Sequence, residues 1–182
     1  MTDIDPVMVF TVIGIILAAV FVAMVISILL SIFIWNPLEV GCQKFFINCK
    51  YGNAELGDMA YGFKNGYAHI GMIMFLRGLF TGLWMLLFII PGIVKSYEYM
   101  MIPYLLAEHP EMTRQEAFAE SKQMMDGNKW DAFVLDLSFI GWTLLGVCTF
   151  GILLVFYVEP YIYLTRAELY HAIKNNNKSV EF

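Results

Sequence analysis

Apolar residues run from Val7 to Trp35 without one ionisable side chain, and the chain then turns mixed, apolar again, mixed, and apolar once more. The first run is longer than the roughly 20 residues that cross a bilayer as a helix, so residues 7–35 are expected to form a transmembrane helix. It follows Asp3 and Asp5, where a signal peptide would carry basic residues, and is expected to stay in the mature protein. Asn36-Pro37 is expected to end the span, since the residue before proline is pushed out of the helical region and the ring suits the first turn of a new helix.

Residues 38–68 mix Lys44, Lys50 and Lys64 with Glu39, Glu55 and Asp58 and read as a loop region outside lipid. Within it Leu56, Met59, Ala60, Phe63 and Tyr67 fall at helical spacing, which suits a short amphipathic helix along the headgroups. Residues 70–108 are apolar again, interrupted by Arg77 and broken at Pro91-Gly92, either as one kinked span or as the tip of a hairpin. Thr113 and Glu116 have capping-box spacing ahead of residues 113–127, an amphipathic helix that Gly127 should stop. Its Phe118, Met124 and Met125 stripe is a candidate docking face. Residues 132–158 form the third apolar stretch, with Asp136 inside and a break at Gly151; Glu159-Pro160 closes it. Residues 161–174 read as an amphipathic exit helix, and the tail from Asn175 as frayed.

The order of features repeats. Asn65-Gly66-Tyr67, an apolar helix, Pro91-Gly92-Ile93, a return run and Pro103-Tyr104 are answered by Asn128-Lys129-Trp130, an apolar helix, Phe150-Gly151-Ile152, a return run and Pro160-Tyr161. The first helix, ending in Pro37, would be the second half of a further unit. If both breaks are hairpin tips, nearly all Lys and Arg outside the spans share one side with the C-terminus, opposite the acidic N-terminus. That is the positive-inside arrangement, with the N-terminus outside and the C-terminus cytoplasmic. The fold class expected is all-α: one integral membrane domain over residues 1–182, a multi-pass transmembrane helical bundle with helix hairpins, short amphipathic interfacial helices, and three long or five shorter spans.

Composition agrees, with 59% hydrophobic and 15% charged residues among 182. No basic patch suits nucleic acid, and the three cysteines, Cys42, Cys49 and Cys148, have neither disulfide-framework nor zinc spacing. No cofactor or metal is expected. His69, His109 and His171 are scattered and no catalytic motif is present, so an enzyme is not expected. Arg77, Lys95, Glu98, Asp136 and Glu159 lie within or beside apolar runs, which raises a small-molecule or ion transporter as an alternative. A structural or regulatory module docking lipid or a membrane-protein partner is the favoured reading. Arg77 and Asp136 should sit at nearly one depth on helices leaving the same face, and a lone charge at a helix centre costs about 2.5–3.5 kcal/mol, so they form a candidate intramembrane pair.

The runs NPLEVGCQKFF, YGFKNGY, IIPGIVKSY, LDLSFIGW and EPYIYLTRAELY, spread from Asn36 to Ala172, resemble the bacterial integral membrane family known as domain of unknown function 975. The resemblance implies a multi-pass bundle in the cytoplasmic membrane and no established activity. Members of that family begin with a basic amphipathic segment and one more membrane helix, so the resemblance implies a shortened N-terminal end here.

Overall fold

The computed structural model describes residues 6–149 and 151–180. Asp3 and Asp5, and Phe150 of the second glycine break, lie outside the described residues. Regular structure among the described residues is helical throughout. Three helices are long and apolar enough to cross a membrane, beginning at Val7, Tyr67 and Lys129.

Helix α1 (Pro6–Leu30) passes through a π-helical turn (Ser31–Trp35) directly into α2 (Asn36–Lys50). Asn36-Pro37 therefore does not end the helix, and the expected loop from residue 38 is helical as far as Lys50. A proline inside a helix lacks an N–H and crowds the carbonyl four residues earlier, here that of Phe33. The wider π turn takes up the clash. Its closing bond runs from the Asn36 N–H to the Ser31 carbonyl, and the Phe33 carbonyl, which Pro37 cannot reach, accepts a 2.6 Å bond from the Tyr67 hydroxyl. The same device recurs before Pro160, where a π turn (Leu154–Val158) leads into α10 (Glu159–Val180). That helix starts before residue 161 and continues to Val180, within the tail expected to fray.

After a 3-10 turn (Leu56–Ala60) and the short α3 (Tyr61–Lys64), α4 (Tyr67–Leu87) and α5 (Ile89–Glu98) form a hairpin. The break is at Phe88, whose backbone is extended, and not at Pro91-Gly92. Pro91 lies in the first turn of α5, where its missing N–H has no helical partner to lose. Gly92 lets the two helices close: a Cβ there would stand 2.6 Å from Met85 Cα. α6 (Ile102–Glu108) follows, again led by a proline, Pro103. α7 (Arg114–Met124) carries the expected capping box between Thr113 and Glu116, and Gly127 has φ of 80°. The third apolar stretch is α8 (Lys129–Ser138) and α9 (Ile140–Cys148), with Gly151, φ 82°, at its turn.

The three proline-led helices α2, α6 and α10 make the centre of the core. Val40, Ile47, Leu105, Leu106, Ala167 and Ile173 are buried there, and the Tyr104 and Tyr170 rings stack at 5.3 Å. The first half of α4 and the inner face of α7 close around it. The face expected to dock partners is that inner face. Met124 and Met125 are buried, and Phe118 meets Phe80 and Tyr99 edge to face. An apolar stripe beside an open core gains more by burial than by exposure, at about 1.5–3 kcal/mol per large side chain. The exposed apolar surface lies elsewhere, along α1 from Val7, at the far end of the α4–α5 hairpin and along α9 into the second π turn.

Candidate functional site

Where the apolar arms join the core, ion pairs form a collar that ties each repeat to the next. Arg77, on the buried half of α4, reaches Glu39 of α2 at 2.9 Å. Glu98, at the end of α5 and almost fully buried, accepts from Lys95 at 2.5 Å and from Lys129 of α8 at 2.6 Å. Asp136 of α8 accepts from Arg166 of α10 at 2.9 Å and from the Tyr97 hydroxyl of α5 at 3.1 Å. Arg77 and Asp136 thus do not pair with each other. The matched depths are no guide to partners, because a proline-led helix carrying the opposite charge stands nearer to each. Exchanging the charges of Glu39 and Arg77 is expected to recover most of the folded yield in membranes that either reversal alone loses, while Arg77→Asp combined with Asp136→Arg should give additive losses. Recovery in the second combination would overturn this pairing.

A further set of polar contacts lies deeper in the core. Glu108 accepts from the Tyr170 hydroxyl at 2.5 Å and from Lys174, joining α6 to α10. Burial pushes the Glu108 carboxyl up, but the hydrogen bonds from Lys174 and Tyr170 and the Lys174 charge outweigh it and leave the group below its ordinary range. Burial, then the charge of Lys50, lowers His171, which favours its neutral form. Gln43 Oε1, Tyr104 Oη and His171 Nε2 are buried side-chain atoms without a hydrogen-bond partner.

Two clefts open beside the collar. One, of about 340 Å³, has Asp136 and Arg166 at its polar end and Phe139, Ile140, Leu144 and Val147 along its wall. The other, of about 360 Å³, sets Asn36, Glu39, Arg77, Thr81 and Ser96 beside Met74, Gly78, Gly82 and Met85. The first combines an ion pair with an apolar trough along an arm, and the second is more mixed. The first suits an amphiphile better than a small polar solute, whose hydrogen-bonding groups would meet hydrocarbon over most of their surface there.

Of the residues singled out from the sequence, Lys95 and Glu98 come together, and Arg77 and Asp136 each stand at one cleft. Glu159 is exposed at the start of α10. Pro91, Gly92 and Gly151 shape the hairpins. Glu39, Tyr97, Lys129 and Arg166 are collar residues that sequence reasoning left unassigned. Their signal is positional: Glu39 and Arg166 follow the prolines of α2 and α10, within reach of any charge at an arm's root.

No curated protein and no solved structure matches this chain. Residues 7–177 match the family model described as "Protein of unknown function (DUF975)". The match is wider than the span from Asn36 that carries the sequence resemblance, and the chain belongs to that family.

Proposed function

We propose that the chain is an integral membrane module that holds lipid at the roots of its apolar arms, with α2, α6, α7 and the C-terminal end on the cytoplasmic side of a bacterial plasma membrane. The observation that carries this reading is the pairing of the first cleft's apolar trough with the Asp136–Arg166 ion pair at its polar end. A trough of that kind accepts an acyl chain along the arm and a polar headgroup at the collar. Transport is the weaker reading, because most of the charges beside the apolar runs are engaged: Arg77 with Glu39, Glu98 with Lys95 of its own helix and Lys129 of α8, and Asp136 with Arg166, while Glu159 is exposed. Such pairs offset the cost of placing charge near hydrocarbon and lock neighbouring repeats together.

The test is lipid retention. Protein extracted in native membrane discs is expected to carry phospholipid that survives exchange, and Asp136→Leu with Arg166→Leu should shed it while keeping the helical content. Unchanged lipid in that variant, or solute flux in reconstituted vesicles that the variant abolishes, would replace this reading with the transporter. For sidedness, cysteine at position 122 should react from the cytoplasmic face; reaction from outside would reverse the topology.

A further inference from the structure

The two hairpins differ from α1 in how far they can reach. Two independent features bound them. The first is α7. Its Phe118 ring packs against Phe80 at 5.8 Å, and its Ser121 hydroxyl donates to the Glu98 carbonyl at 2.7 Å. These contacts fix the exposed, charged Glu120 and Lys122 at the level of Phe80 and Glu98. Beyond that level α4 rises only about 10 Å to Leu87, and α5 spans about 14 Å from Ile89 to Glu98. The second is Glu159, exposed on the return arm of the other hairpin. From there to the turn at Gly151 the helix spans no more than about 12 Å. A hydrocarbon core is about 30 Å thick, so neither hairpin crosses it with its bounding charges in water. Of the three helices long enough to cross, only α1 has no buried residue in its apolar run.

The tips are built for hydrocarbon. Leu86, Phe88, Ile89 and Ile90 are exposed at the first, Val147 and Ile152 at the second, and no charged residue lies between Trp84 and Val94 or between Trp142 and Val158. Three backbone donors there close internally: Phe88 N–H to Trp84 O at 2.9 Å, Gly92 N–H to Phe88 O at 3.0 Å and Gly151 N–H to Gly146 O at 3.0 Å. The Thr149 hydroxyl also turns back, onto the Gly146 carbonyl at 2.9 Å. Each such bond lowers the cost of placing a turn in lipid.

We infer that α1 crosses the bilayer while the α4–α5 and α9–α10 hairpins are re-entrant wedges, their tips ending within the leaflet next to the core. This rests on the membrane reading above and adds the depth to it. The occupant of the exposed hairpin surface is the acyl region of that one leaflet.

The chain supplies its own probe, since Cys148 is exposed at the second tip. With Cys42→Ser and Cys49→Ser, a nitroxide on Cys148 in phosphatidylcholine–phosphatidylglycerol vesicles should show high oxygen and low nickel-chelate collision rates. Those rates should place it about 12 Å below the near phosphates. Leu87→Cys in a cysteine-free chain reports the first tip and stands in if Cys42 or Cys49 cannot be replaced. A label beside the far phosphates, open to chelate from the opposite side, would overturn the wedge and leave the membrane reading intact. Free access of chelate to both tips from the core side, in a chain that alkaline carbonate releases, would overturn the membrane reading itself.

Discussion

Glu98→Gln is expected to destabilise the folded protein by about 3 kcal/mol, near the low end for breaking a buried ion pair because Lys95 and Lys129 keep part of their hydration. The carboxylate is the one anion between two ammonium groups, at 2.5 and 2.6 Å, and its side chain is 7% exposed. An amide of the same shape holds the packing but leaves two like charges facing each other, with Lys95 beside the Trp84 and Tyr99 rings. The tie between α5 and α8, hence between the second and third repeats, is what fails. Adding Lys129→Met removes the repulsion and should restore a good part of the loss in a double-mutant cycle read by thermal unfolding in lipid discs. Equal unfolding temperatures for Glu98→Gln and the parent chain would show that the collar contributes nothing at this point.

What the sequence made legible follows from which signals are local. A charge-free run such as residues 7–35 and the Thr113–Glu116 cap are fixed by neighbours along the chain, so both could be read directly. The order of the repeats was legible for the same reason, as each carries its own anchor, break and proline. Partner choice in the collar was not. Arg77 meets Glu39 across helices that the repeat brings together only after folding, and a level shared with Asp136 says nothing about distance in the plane. The Phe118, Met124 and Met125 stripe misled for a related reason: amphipathicity tells that a face is covered and not by what. Pro37 was the largest miss. A proline ends a helix when its clash has no outlet, and here a π turn and the Tyr67 hydroxyl supply one.

That proline also carries the second large effect. Gly62 of α3 lies so close to α2 that an added Cβ would sit 2.2 Å from the Pro37 carbonyl oxygen and 2.9 Å from its carbon. Neither contact is a flexible side-chain end that could swing aside. Gly62→Ala is therefore expected to cost about 3 kcal/mol, the upper range for overpacking, even though alanine is the better helix former. To relieve the clash α3 must back away from α2, which would strain the 2.6 Å bond from Tyr67 to the Phe33 carbonyl and the Glu39–Arg77 pair just beyond it. Gly57→Ala is the matched control, in the same segment with nothing within 4 Å of its added carbon. Thermal unfolding of the two variants side by side should show a large drop for Gly62 and little change for Gly57. Equal shifts would mean that helix propensity, and not the close passage of α3 over Pro37, governs this segment.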